Sequence, residues 1–174
     1  MTGFAKRALC LAAAACAAVL SGCAGYSWKS AVPEGMRTVA VPVFRNESSI
    51  TGLGSSVTRQ VLNEFAREGT FRIVSAGDSA VEVQGVVKSA SRHVVAYDRA
   101  VAARTREYSL SAVAEVSFID KKSGKVVVDN RKYRARTTFL AGDDVLTGER
   151  DAAGRLAEDL ARQIVDDVLV CKWD

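Results

Sequence analysis

Residues that could perform catalysis or bind a metal are scarce in this chain of 174 residues. The chain has one histidine, His93, and four cysteines, whereas metal sites draw most of their ligands from several His and Cys side chains. No glycine-rich phosphate loop follows a predicted strand, and no nucleophile stands in a motif with a base. Acidic pairs such as Asp166-Asp167 fall on the outward side of a predicted helix, where carboxylates are usually solvated. The sequence therefore predicts a protein that is not an enzyme and that needs neither a metal nor another cofactor.

The most informative cysteine is Cys23, at the end of an N-terminal signal. Lys6 and Arg7 precede an apolar run from Ala8 to Leu20. This run would form about 20 Å of helix, too short to cross a hydrocarbon core of ~30 Å, and is typical of a cleaved secretory signal. The segment Leu20-Ser-Gly-Cys23 resembles the lipobox of bacterial lipoproteins, in which the cysteine receives a diacylglycerol and becomes the first residue. The alternative is a plain signal peptide with an incidental cysteine.

The lipobox has consequences for location, charge and disulfides. It implies that residues 1–22 are removed. The residue after the cysteine is Ala24 and not the aspartate that resembles an inner-membrane retention signal, which favours the outer membrane. Loss of the two basic residues in the signal lowers the net charge from +4 to +2. With Cys23 acylated, Cys171 is the only free thiol, so no intramolecular disulfide can form. Nucleic acid is a poor partner for a protein of this charge and location.

The rest of the chain predicts one α+β domain. Residues 23–37 are expected to be an acylated tether and residues 38–174 a single domain, with elements in the order β-α-β-β-β-β-α. The expected elements are a strand at Thr38–Phe44, a helix at 51–69, strands at 71–74, 81–97, 107–118 and 126–139, and a helix at Leu146–Val170. Pro42 indicates that the first strand is an edge strand, or that its missing N–H faces outward. We expect the two helices to pack on one face of a four- to five-stranded, mostly antiparallel sheet, leaving the other face polar and open.

Alternation in the last two strands predicts three cations on the open face. If residue 119 pairs with residue 126, Tyr133 joins the core face beside Ala112, unless a bulge intervenes. Lys132, Arg134 and Arg136 then lie beside Val113, Ser111 and Ser109, at intervals of about 6.6 Å.

Three further arginines, Arg99, Arg104 and Arg106, lie in the connection before the fourth strand. Together with the strand cations they form a candidate anion-binding surface, because arginine is suited to bidentate contacts with phosphate. The alternative is that these charges only keep an exposed face soluble. In the compartment that the lipobox implies, a phosphorylated lipid is the favoured ligand.

The order and spacing of several short segments resemble the LPS-assembly lipoprotein family, LptE. These segments are Gly25-Tyr26 after the acylated cysteine, Thr38-Val-Ala-Val-Pro-Val-Phe-Arg-Asn46 before a Gly-Leu-led helix, Val83-Gln-Gly-Val86, Tyr97-Asp98, Glu107-Tyr-Ser-Leu110 and Asp120-Lys-Lys-Ser-Gly-Lys-Val126. The resemblance covers nearly all of the chain after the signal.

The resemblance implies an outer-membrane lipoprotein, lipid-anchored on the periplasmic side, with two helices on a mostly antiparallel sheet. It implies that the protein sits inside the large β-barrel LptD as a plug, helps that barrel to assemble and binds LPS for delivery to the outer leaflet. An alternative resemblance is to lipoprotein regulators or secretion components of the CsgG or LpoB kind, which also open with a Val-Ala-Val-Pro-like strand, an Asn and a helix. Against this alternative, the chain lacks a long apolar amphipathic segment and a long disordered tether.

Overall fold

The computed structural model describes residues 32–97, 106–141 and 144–173. Its elements are a 3-10 turn at Glu34–Met36, β1 (Thr38–Ala40), β2 (Arg45–Asn46), α1 (Leu53–Glu68), β3 (Arg72–Ile73), β4 (Val81–Tyr97), β5 (Arg106–Asp120), β6 (Val126–Ala141) and α2 (Val145–Val170). The predicted α+β class, with two helices on one face of a sheet, is confirmed. The last residues of the predicted tether are packed, since Val32 and Met36 are buried in the core.

The sheet has six strands rather than four or five, and it is mixed. Its order is β3-β1-β4-β5-β6, with β2 also paired to β4. β4, β5 and β6 form a long antiparallel meander, whereas β1 runs parallel to both β3 and β4, and β2 runs parallel to β4. The helix α1 connects β2 to β3. Because a helical crossover returns the chain so that its next strand starts at the same end of the sheet, β3 runs parallel to β1.

The predicted first strand is interrupted at its proline. β1 ends at Ala40, before Pro42, and lies between β3 and β4, so of the two alternatives for Pro42 the edge strand is wrong. Because proline cannot donate to a ladder, pairing resumes only at Arg45. Between the two strands, Phe44 turns into the core, and a Cβ on Gly85 would lie 2.2 Å from its ring. Glycine at position 85 is therefore required by close packing.

Both helices have the apolar stripes that the sequence predicts. Leu53, Val57, Val61 and Phe65 of α1 are buried, and so are Leu156, Leu160, Ile164 and Val168 of α2. Gly69 ends α1 in the left-handed conformation, with φ 81°. Asp144 caps α2 by accepting hydrogen bonds from the backbone N–H groups of Leu146 and Thr147. Burial of each large apolar side chain contributes about 1.5–3 kcal/mol, so these stripes fasten the helices to the sheet.

The register between β5 and β6 corrects the sequence prediction by two residues. Ile119 pairs with Val126 as expected, but two irregularities each add one residue to β6, so that Val116 pairs with Arg131. Asn130 accommodates the extra length with φ 45°, and its N–H donates to Ser117 Oγ at 2.9 Å. Because the two irregularities together shift the register by an even number, side chains from Arg131 onward keep their predicted face, whereas Val128, between the irregularities, pairs with Phe118 and is buried. From Arg131 onward only the partners change, with Tyr133 beside Ala114 instead of Ala112.

Candidate anion-binding face

The side of the sheet away from the helices, here called the open face, is built from rows of residues on three strands. The core side of β5 is buried along its whole predicted alternation, from Tyr108 to Phe118. The alternate residues form the open face in three cross-strand rows, each with one residue from β4, β5 and β6. The first row is Val86, Glu115 and Lys132, the second is Ser89, Val113 and Arg134, and the third is Ser91, Ser111 and Arg136. The three cations predicted from the sequence thus share the open face, opposite Glu115, Val113 and Ser111 rather than Val113, Ser111 and Ser109.

Lys132 is partly neutralised by its cross-strand neighbour. Its Nζ lies 3.5 Å from Glu115 Oε1, and more than half of the lysine side chain is exposed. An ion pair in such an exposed place contributes little to stability, about 0–1 kcal/mol. Lys132 can therefore exchange this partner for another anion at low cost.

Arg136 is oriented by a buried serine. Its Nε donates to Ser109 Oγ at 2.8 Å, and Ser109 itself is only 2% exposed. Beside this pair, Ser91 Oγ and Ser111 Oγ are 3.0 Å apart. The hydrogen bond at Nε leaves the two terminal nitrogens of the guanidinium available for another acceptor.

Arg134 lies between the other two cations and is the most available of the three. Its side chain is exposed and has no hydrogen bond or ion pair with any residue in the described ranges. Its main chain is held from the helix side, because Gln163 Nε2 donates to the Arg134 carbonyl at 3.1 Å. A guanidinium on a fixed strand, whose five donors have no partner among the described residues, is suited to bind a phosphate or carboxylate through two nitrogens.

Of the remaining predicted site residues, the structure places only the backbone of Arg106. Cys23, Arg99 and Arg104 lie outside the described residues. Arg106 begins β5 and its backbone pairs with Tyr97 and Ala141.

An ion cluster that sequence reasoning missed joins β6 to the end of α2. Asp167, which the sequence predicts to be solvated, accepts a hydrogen bond from the Tyr133 hydroxyl and lies 2.5 Å from Arg131 Nη1. Burial and the hydrogen bond to this carboxylate raise the pKa of Tyr133. Nearby, burial raises the pKa of the Cys171 thiol, so it stays protonated at neutral pH. The only signal in the sequence was that Asp167 follows Ile164 by three residues and so flanks the apolar stripe.

A groove adjoins the Lys132 end of the open face. It has a volume of about 370 Å³ and is lined by Val43, Arg45, Gln84, Glu115 and Asn130, among others. Val43 is 71% exposed. The groove therefore offers both apolar and polar contacts beside the cations of β6, Lys132, Arg134 and Arg136.

The described residues form neither a metal-binding cluster nor a membrane-spanning helix. In the ranges that the structure covers, no three His, Cys, Asp or Glu side chains come together in a way that could hold a metal ion. Neither described helix has the length and apolar character needed to cross a membrane.

Comparison with known proteins identifies the family. The model of the LptE family, described as lipopolysaccharide-assembly, matches residues 36–168. Among solved structures, a minor lipoprotein from Acinetobacter baumannii superposes with a TM-score of 0.50 at 11% identity, covering 77% of this chain and 93% of that one. A protein from Xanthomonas campestris superposes with a TM-score of 0.53 at 10% identity, covering 76% and 84%. These structures share the fold alone, and no curated protein matches the chain significantly. Since the family model spans most of the chain, this protein belongs to the LptE family of lipopolysaccharide-assembly lipoproteins.

Proposed function

We propose that this LptE-family lipoprotein partners an LptD-type β-barrel in the outer membrane, acts as its plug and assembly partner, and contacts LPS through the open face. The observation that carries the proposal is the asymmetry of the sheet. Helices cover one face, whereas the other presents Lys132, Arg134 and Arg136 in a row, with Arg134 unengaged by any described residue. LPS carries phosphate groups on a lipid, and arginine recognises phosphate through paired, charge-assisted hydrogen bonds.

The lipid anchor belongs to the same proposal. Cys23 carries the acyl chains and holds the domain at the periplasmic side of the outer membrane, where an LptD-type barrel would receive it. Each buried CH₂ contributes about 0.8 kcal/mol, so two or three chains give nearly permanent anchoring. Arg99, Arg104 and Arg106, of which Arg106 begins β5, are proposed as additional LPS contacts.

The test of the partner is co-purification. The lipoprotein, extracted from membranes in mild detergent, is expected to bring an LptD-type barrel with it, and its depletion is expected to lower the amount of that barrel. Extraction without any barrel of this type would contradict the partnership.

The test of the ligand is a charge reversal on the open face. The double variant Arg134→Glu, Arg136→Glu is expected to bind purified LPS at least about tenfold more weakly, since each lost charge-assisted hydrogen bond contributes about 1.5–3 kcal/mol. The matched control is Arg59→Glu with Arg67→Glu, which makes the same change of charge on the exposed side of α1. Affinity is measured by titration with LPS at two salt concentrations, and unfolding by circular dichroism.

The control separates local binding from a general effect of charge. If both double variants lose affinity equally, LPS responds to net charge and not to this face. If the open-face variant keeps the wild-type affinity, the row of cations serves contact with the barrel or solubility.

A further inference from the structure

The two arginines of the open face differ in what stands opposite them on β5. Arg134 faces Val113, whose side chain has no polar atom, whereas Arg136 faces Ser111. The Arg136 side chain reaches past this partner, because its Nε donates to Ser109 Oγ at 2.8 Å, two residues earlier on β5. It therefore lies along the sheet toward the start of β5, while Arg134 has no comparable acceptor among the described residues.

The Ser109 hydroxyl is an acceptor in a fixed place. Ser109 lies on the open side of the middle strand of the meander, yet it is only 2% exposed. Its backbone is paired on both sides, with His93 on β4 and with Thr138 on β6. A residue held between two neighbouring strands keeps its position, so the Nε of Arg136 is held at one place on the open face.

This hydrogen bond orders the guanidinium before a ligand arrives. An arginine side chain loses much rotamer freedom when it is fixed, and a group that is already ordered in the free protein avoids this cost on binding. The bond uses Nε alone, so the two terminal nitrogens of Arg136 have no partner among the described residues. A planar fork in a fixed orientation matches two oxygens of a phosphate group. Arg134 can offer the same fork only after it loses its freedom on binding.

A hydroxyl donor lies in the same row as Arg136. Ser91 Oγ and Ser111 Oγ are 3.0 Å apart, and either can donate to the other. One proton joins the two oxygens, so the second hydroxyl can donate to a third atom. A phosphate monoester has three terminal oxygens and a carboxylate has two, so a phosphate can accept from the fork and from a hydroxyl together. This end of the open face therefore favours phosphate over carboxylate.

We propose that Ser109 is a positioning residue that makes Arg136 the principal phosphate contact of the open face, ahead of Arg134. The ligand is a phosphate group of LPS, bound by the terminal nitrogens of a guanidinium that Ser109 holds in place. Arg134 and Lys132 then contribute mainly by attracting the charged ligand to this face. The inference rests on the proposed function, because it assigns an LPS phosphate to one place on that face.

The protein without ligand provides the first test. Nitrogen-15 NMR of the full chain measures how fast the Nε–H protons of arginines exchange with water. The Arg136 Nε–H is expected to exchange at least about tenfold more slowly than that of Arg134, because only the former is hydrogen-bonded. Ser109→Ala is expected to remove this difference. Equal exchange at the two arginines of the wild-type protein would overturn the proposal.

A double-mutant cycle tests whether Ser109 acts through Arg136. Ser109→Ala is expected to weaken the binding of purified LPS about two- to tenfold, because Arg136 must then be ordered on binding. When Arg136→Ala is already present, the same change is expected to have no effect, since the arginine that Ser109 positions is gone. Ser89→Ala, in the row of Arg134, is the matched control and should bind like wild type. Circular dichroism verifies the fold of each variant.

Two further measurements identify the group that is recognised. Ser109→Thr keeps the hydroxyl and is expected to bind LPS more tightly than Ser109→Ala does. LPS from which the phosphates have been removed enzymatically is expected to bind wild type and Ser109→Ala equally, since neither protein then has a phosphate to hold. A difference between these two proteins that persists without phosphate would contradict the assigned ligand group.

The cycle separates this inference from the proposed function. Ser109→Ala overturns the positioning role if it leaves LPS affinity unchanged, or lowers it equally with and without Arg136. A larger loss from Arg134→Ala than from Arg136→Ala would overturn the order of the two contacts. If Arg136→Ala weakens binding and Ser109→Ala does not, only the inference fails. If Arg134→Glu with Arg136→Glu leaves LPS affinity unchanged, the open face is not the LPS site and the proposed contact fails with it.

Discussion

At the residue scale, Asp120 shows how one carboxylate organises a turn. It ends β5 and is 3% exposed. Its side chain accepts hydrogen bonds from the Lys122 N–H at 2.8 Å, the Ser123 N–H at 3.3 Å and the Ser123 hydroxyl at 2.7 Å. The Ser123 hydroxyl, followed by the two backbone N–H groups, holds the pKa of Asp120 below its usual range. The ionised form is thus preferred in the folded state, and the turn depends on it.

A pH prediction follows from the lowered pKa of Asp120. Its ionised form stabilises the fold above the unfolded pKa of about 3.9, and this stabilisation is lost as the pH falls through the lower folded pKa. Asp120→Asn is therefore expected to lower the Tm by several degrees at pH 7, and the difference from wild type is expected to shrink as the pH falls below the unfolded pKa and through the lower folded pKa. Thermal unfolding over a series of pH values from 7 downward measures this. A difference independent of pH would mean that the loss comes from packing.

At the element scale, α2 protects the edge of the sheet. Gln163 and Arg155 are eight residues apart on the helix, which is about 12 Å at 1.5 Å per residue. The carbonyls that they bind, at Arg134 and Thr138, are four residues apart on β6, or about 13 Å. Because these two distances match, one helix can donate hydrogen bonds to two carbonyls that lie four residues apart on β6.

Removal of this cover is expected to cause self-association. The double variant Gln163→Ala, Arg155→Ala frees two edge carbonyls without altering the apolar stripe of α2. We expect it to stay folded and to form larger species in size-exclusion chromatography with light scattering, at concentrations where wild type does not. Arg162→Ala is the control, because the partners of Arg162 among the described residues are Glu158 and Asp159 of its own helix. Equal association of both variants would assign the effect to lost charge.

At the scale of the whole molecule, the long strands determine the length of the sheet. β5 has 15 residues, which span about 50 Å at 3.3 Å per residue. A Cβ on Gly35 would lie 2.8 Å from Lys122 Nζ, so the described chain begins at the end of the sheet that carries the turn between β5 and β6. The far end of the sheet is thus separated from this entry by more than the ~30 Å hydrocarbon thickness of a bilayer.

The anchor itself is a prediction at this scale. Cys23→Ala is expected to leave the precursor uncleaved, because the residue that receives the lipid is gone. Immunoblotting for precursor and processed forms in membrane fractions measures the outcome. Cys16→Ala, within the apolar run, is the control and should be processed normally. Normal processing of Cys23→Ala would contradict lipidation at this residue.

The sequence alone determined the α+β class, the two helices and the faces of their side chains. These depend on local periodicity, in which apolar residues recur every three or four positions in a helix or every second position in a strand, and burial enforces them. Lys132, Arg134 and Arg136 were assigned to the correct face because a register shift by two residues keeps parity.

Only the tertiary structure decided how the elements meet. The parallel pairing of β1 with β3 and β4, the bulged register at Asn130 and the role of Asp167 all depend on residues distant in sequence. So do the hydrogen bonds from α2 to the carbonyls of Arg134 and Thr138 on β6. Local patterns contain no information on which backbone groups remain unpaired, since pairing is decided by the path of the whole chain. The cations of the open face were therefore predictable from the sequence, and the hydrogen bonds between α2 and β6 were not.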